Sequence, residues 1–277
     1  MCERDSSDDV LRGSEFSRRQ FGALGFGATL AAMLPAVAAA AEVSESEVEI
    51  KTPDGTCDAH FVHPANATAA VLVWPDIWGL RPAFRAMGKR LAESGYAVLT
   101  VNPFYRSIKG QPASRDDAFK YAGMLNATTH VSDAKAFVAW LDAQKAVDKG
   151  RKIGTTGYCM GGAIVFRTAA SLPKRIGAGC SFHGGRLTTT GDDSPHLLVP
   201  KMKASMLVAI ADNDDQKEPE SKDILRKAFD DAKASAEIEV YKGANHGWMP
   251  PDSQNYNAEA AERGWARKLE LFKKALA

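Results

Sequence analysis

Cysteine is scarce in this chain. Four occur in 277 residues, and no two stand as a Cys-x-x-Cys pair. That excludes a zinc ribbon, a thioredoxin-like redox motif and a dense disulfide framework. Excess charge of one sign is also lacking: 35 Lys and Arg face 34 Asp and Glu, a net charge of +1. Nucleic-acid binders usually carry a basic excess or stripe. None is visible, and neither is a helix-turn-helix or RNA-binding signature, so no nucleic-acid partner is expected. There is no repeat of fixed period, no low-complexity tract, and no Pro/Gly/Ser-rich linker within 48–277. What is present is 45% hydrophobic and 25% charged residues, the mix of a soluble globular protein rather than a disordered one.

The first 41 residues read as a segment apart from the fold. Ser17-Arg18-Arg19-Gln20-Phe21 is a twin-arginine block, followed by an apolar stretch from Phe21 to Leu34 containing Gly22, Gly25 and Gly27. Pro35 to Ala41 then offers the small residues that a signal peptidase needs. This layout predicts a cleaved twin-arginine (Tat) signal over 1–41, export by the Tat machinery and a periplasmic location. The apolar core is short for a membrane span, which needs about 20 apolar residues, so no stable membrane insertion of the mature chain is expected. Cys57, Cys159 and Cys180 remain after cleavage, an odd number, so at least one thiol stays free or pairs between chains.

Residues 42–277 read as one domain. Val48-Glu49-Ile50 and Ala59 to Val62 flank Thr52-Pro53-Asp54-Gly55, a hairpin with its turn at Pro-Asp-Gly. Short apolar runs at 70–74, 97–101, 153–158, 176–182, 206–210 and 238–241 predict strands, the first of them a buried parallel one. Helical patterns fill 83–94, 131–146, 160–171, 222–233 and 258–275. Strands alternating with helices imply an α/β fold with a mostly parallel sheet covered on both faces.

Gly157-Tyr158-Cys159-Met160-Gly161 stands between a predicted strand and a predicted helix. This is G-x-C-x-G, the nucleophile-elbow pattern with Cys in the place of Ser. The sharp turn leaves no room for bulk two residues either side of the nucleophile. It sets the sulfur at a helix N-terminus, which favours thiolate, and aims the Met160 N–H at a developing oxyanion. After the 206–210 strand come Asp212, Asp214 and Asp215, any of which lies in the right loop. After the 238–241 strand comes His246. Nucleophile, acid, histidine is the chain order of α/β-hydrolases, and the acid holds the imidazole in one tautomer.

These residues, with Gly243-Ala244-Asn245-His246-Gly247 and Trp74-Pro75-Asp76-Ile77-Trp78-Gly79, resemble the dienelactone hydrolase family over about 45–275. The resemblance implies an α/β-hydrolase fold, hydrolysis of a lactone or activated ester, and no cofactor. It makes Asp214 the triad acid, gives Asp76 a hydrogen bond to the resting thiol where the family commonly has Glu, and gives Ile77 the second oxyanion N–H. It also implies two arginines on a substrate carboxylate. Tyr105-Arg106 offers Arg106 for one, while the other position holds Pro250. Trp78 and Trp248 are read either as walls of an apolar pocket or as packing. His183 is read as structural, with a pocket role as the alternative, and His196 as loop. Two further readings stay open: a broad esterase or thioesterase of the same fold, and a pseudo-hydrolase kept for binding.

Overall fold

Runs of six residues bounded by turns become strands buried at every position: Ala69–Trp74 (β3), Tyr96–Val101 (β4) and Ile153–Tyr158 (β5). Both faces of such strands must be covered. The computed structural model describes residues 41–277. The predicted signal, Cys2 included, lies outside these residues except for Ala41. Val43–Thr52 (β1) and Gly55–Pro64 (β2) make the expected hairpin. Ile176–Phe182 (β6), Ser205–Ala211 (β7) and Ala236–Tyr241 (β8) complete an eight-stranded sheet ordered β1-β2-β4-β3-β5-β6-β7-β8. β2 is antiparallel to both its neighbours, and all pairings from β4 to β8 are parallel.

Seven α-helices are described: Pro82–Glu93 (α1), Arg115–Gly123 (α2), Ala127–Asp142 (α3), Met160–Ser171 (α4), Asp212–Lys217 (α5), Ser221–Asp231 (α6) and Ala258–Ala275 (α7). Phe84, Leu91, Trp265 and Phe272 of α1 and α7 cover one face of the sheet. Phe137, Ile164 and Phe229 of α3, α4 and α6 cover the other. No described helix is long and apolar enough to cross a membrane.

Three elements differ from the sequence expectation. α3 begins at Ala127 rather than Val131, because Asn126 accepts from the Thr128 and Thr129 N–H groups while Thr129 Oγ1 accepts from Asn126 N–H. That reciprocal cap satisfies N–H groups that a helix start otherwise leaves bare. α2 was not expected at all: it buries only Ala118 and is anchored by its Ser114 cap. The acidic loop after β7 is the short helix α5. His196 lies in a 3₁₀ segment, Pro195–Lys201, where its Nδ1 bonds Ser194 Oγ at 2.8 Å. The parallel strands bring one set of carboxyl ends to one edge, so Ile77, Cys159, His183, Asp214 and His246 follow β3, β5, β6, β7 and β8.

Candidate active site

The turn between β5 and α4 is as tight as the glycine pattern predicts. Cys159 has φ 53° and ψ −116°, a left-handed conformation that non-glycine residues rarely adopt. A Cβ on Gly157 would lie 2.1 Å from Gly161 O, and one on Gly161 would lie 2.3 Å from Trp74 O. Neither position admits any side chain. The second contact reflects how closely the Trp74–Pro75 backbone approaches the start of α4. Met160 opens the helix, so its N–H has no intrahelical acceptor. The Ile77 N–H likewise donates to no protein group in the turn that contains it.

The three candidate aspartates separate cleanly. Asp214 Oδ2 accepts from His246 Nδ1 at 2.5 Å. Asp212 instead accepts from Gly243 N–H and Lys242, and Asp215 is held by Lys222 at 2.7 Å. The hydrogen bond from Gly243 lowers the Asp212 pKa, and the one from Lys222 lowers that of Asp215. Asn213 Oδ1 accepts from His246 N–H at 2.7 Å, and Asn255 donates to His246 O at 2.8 Å. Burial disfavours the His246 imidazolium, but hydrogen bonds to Asp214 and Cys159 outweigh it and push its pKa up to about 10. The imidazole is therefore biased toward its protonated form.

Several expected site residues lie elsewhere in the hydrogen-bond network. Asp76 makes no hydrogen bond to Cys159. Its carboxylate faces Arg81 at 2.6 and 3.0 Å and accepts from Trp78 N–H at 2.9 Å. Arg106 is committed on two sides, to Asp133 at 2.8 Å through Nη1 and Nη2 and to Asp54 through Nε and Nη2. A guanidinium already matched to two carboxylates offers little to a third. Tyr105 is buried beneath Arg106, donating to Asp133 at 2.7 Å and accepting from Thr52. Trp248 is fully buried, stacked on Tyr241 at 4.7 Å, and so packs the core rather than lining a pocket. Trp78 alone of these is exposed, at 39%.

His183 is more intimate with the site than the sequence suggested. It is fully buried with both ring nitrogens unpartnered, and its ring packs edge-on to His246 at 5.1 Å between centroids. Burial holds its pKa well below 6.5, so it stays neutral beside the charged imidazole. Arg81 and Asp252 were missed entirely: 171 residues apart, they carry no spacing signal. Among the described residues no group of three or more His, Cys, Asp or Glu is arranged to hold a metal ion.

Comparison with known proteins places these features in a family. The model of the dienelactone hydrolase family matches residues 57–276. A carboxymethylenebutenolidase from Rhodococcus opacus is 25% identical over 232 residues, covering 82% of this chain and 90% of its own. Two solved structures share the fold. One is a dienelactone hydrolase-like promiscuous phosphotriesterase from metagenomic libraries, with TM-score 0.72 and 23% identity over 85% of this chain and 99% of that one. The other is a dienelactone hydrolase from Anabaena variabilis, with TM-score 0.64 and 19% identity over the same shares.

Proposed function

The chain belongs to the dienelactone hydrolase family, and from that premise we propose that it hydrolyses an activated ester or lactone through a Cys159 acyl-enzyme. The observation that carries this reading is the 2.5 Å bond between Asp214 and His246 Nδ1, made beside a cysteine on a strained elbow. Asp214 fixes the tautomer and leaves Nε2 to the sulfur. The thiolate attacks the carbonyl carbon, and negative charge collects on its oxygen. The N–H groups of Met160 and Ile77 receive that charge, a contribution of about 3–4 kcal/mol per donor in enzymes of known mechanism. The carbon–oxygen bond to the leaving group breaks as His246 gives its proton to the departing oxygen. Water then attacks the thioester with His246 as base, releasing the acid and restoring the thiol. Enol esters and lactones leave readily enough for this route.

A broad esterase or thioesterase of the same mechanism is the second reading, and one observation favours it. Arg106 is matched by Asp54 and Asp133, and the other expected arginine position holds Pro250. The pair of cations that the sequence resemblance calls for is thus not free, which supports substrates without a carboxylate. A panel of lactones and p-nitrophenyl esters, with and without a carboxylate, separates the two. Cys159→Ala is expected to lose turnover on all of them, and intact-mass analysis of the wild type to find an acyl increment on Cys159. Wild-type rates in Cys159→Ala would sink both readings.

We further propose Tat-dependent export, supported by Ser17-Arg18-Arg19 and the small-residue run to Ala41. Replacing Arg18 and Arg19 together by Lys is expected to leave the precursor in the cytoplasm on cell fractionation. Undiminished export of that variant would overturn the assignment.

A further inference from the structure

Arg81 is 7% exposed and uses its guanidinium on two carboxylates at once. Nη1 and Nη2 donate to Asp76, while Nε and Nη2 donate to Asp252 at 2.7 and 3.0 Å. Its Cζ lies over the Phe84 ring, 4.7 Å from the centroid. Asp76 sits in the turn after β3. Its Oδ1 accepts from Trp78 N–H and its backbone O from Gly79 N–H, both at 2.9 Å. Those bonds close the turn around the peptide that presents the Ile77 N–H. Asp252 belongs to the segment after β8 that carries His246, and Asn255 of the same segment donates to His246 O.

β3 and β8 are not neighbours in the sheet; β5, β6 and β7 lie between them. No ladder hydrogen bond relates the Ile77 turn to the His246 segment, and the Arg81 fork joins them directly. We propose that Arg81 is a positioning residue for acyl transfer: held by Asp252, it fixes Asp76 and so aims the Ile77 N–H at the oxyanion. This rests on the reading of Ile77 as an oxyanion donor. The arrangement is poorly explained as stabilisation alone. A buried ion pair is weak evidence for stability, since apolar residues of like volume usually serve as well or better. A planar fork with four directed hydrogen bonds does what an apolar plug cannot: it sets an angle.

Two reactions of Cys159 separate positioning from bulk support. Alkylation by iodoacetamide requires the thiolate and His246 but develops no oxyanion. Ester hydrolysis requires all three. Asp252→Asn, Arg81→Lys and Arg81→Gln are compared with wild type for Tm, for alkylation rate, and for kcat and KM on a p-nitrophenyl ester. In Asp252→Asn we expect alkylation and KM within about twofold of wild type and kcat lower by about tenfold. Arg81→Gln is expected to fall by about 100-fold, the scale of a 1 Å misplacement. Arg81→Lys, which keeps the charge and loses the fork, should fall with it. Unchanged kcat in the folded variants overturns the proposal, and so does a parallel loss of alkylation and kcat, which would mean support of the whole site. Should the Arg81 variants fail to fold, Asp252→Asn decides alone, because Asp252 is 44% exposed. Wild type that is alkylated at Cys159 yet turns over no ester would overturn the hydrolase mechanism itself; wild-type turnover with intact variants overturns only the role of Arg81.

Discussion

Three aspartates crowd the start of α5, and each is held by a different partner. Only Asp214 reaches the imidazole, so Asp214→Asn is expected to lower kcat by up to about 10⁴, as loss of tautomer control does in the serine-protease template. Asp212→Asn and Asp215→Asn disturb Lys242 and Lys222 and should leave most activity. The pH profile gives a second readout. His246 is held near a pKa of about 10, above the ordinary imidazole value of 6.5. Its raised pKa contributes stability that is fully present below about pH 6.5 and lost as pH rises through about 10. The proton needed by an alkoxide leaving group is kept over the same range. Turnover of an alkyl ester should therefore hold to about pH 9 and decline above it. In Asp214→Asn the hydrogen bond that raises this pKa is weakened, so the alkaline limb should move toward neutral. A limb that stays in place in that variant would remove Asp214 from the proton chemistry.

Elements differ in how much of themselves they write into local sequence. The elbow was legible because its glycine pattern is local: Gly157 is required by Gly161 O of its own turn, although the crowding at Gly161 comes from Trp74 O and Pro75 O of the β3 end, which no local spacing shows. The strands were legible as apolar runs, and the order Cys159, Asp214, His246 followed from their ends. α5 was not legible, since Asp212-Asn213-Asp214-Asp215 has no apolar period and its one buried residue, Asp215, is charged. The start of α3 was hidden because its cap is Asn126 with Thr129, not the Ser/Thr with Glu/Gln that sequence rules seek. The partners of Arg106 and Asp76 were illegible for one shared reason. A charged side chain in a loop shows its partner only in three dimensions, and Asp54, Asp133, Arg81 and Asp252 come from four separate elements or turns. Trp248 follows His246 by two residues, yet the chain turns at Gly247, φ 90°, and sends it inward.

At the scale of the whole molecule, the stability of the fold carries the cost of one buried cation. Lys268 of α7 is fully buried beneath β5 and β6, with Nζ 3.2 Å from Tyr158 Oη and 3.4 Å from the Trp265 ring centroid. The ring face favours the ammonium by about 2 kcal/mol when desolvated, but burial of an ion costs several kcal/mol. Burial wins and brings its pKa down to about 7; Cys180 and Glu262 act against that fall and Arg90 with it. The sign follows from proton counting. Between about pH 7 and pH 10.5 the unfolded chain holds a proton on Lys268 that the folded chain has shed, so this group destabilises most at low pH and its cost fades as pH rises. His246 has the opposite slope over much of that window and would mask the effect in wild type alone. Lys268→Met, which keeps the stem and removes the charge, cancels that background. It should be more stable than wild type at pH 7.5, and denaturant titrations should find the difference shrinking by about 1.4 kcal/mol per pH unit toward pH 9.5. Buried Cys180, pushed up to about 12 by burial, stays protonated in both proteins across this range and leaves the comparison intact. A difference independent of pH would mean that Lys268 keeps its proton inside the fold, with the Trp265 face and Tyr158 Oη carrying more of its charge than burial removes.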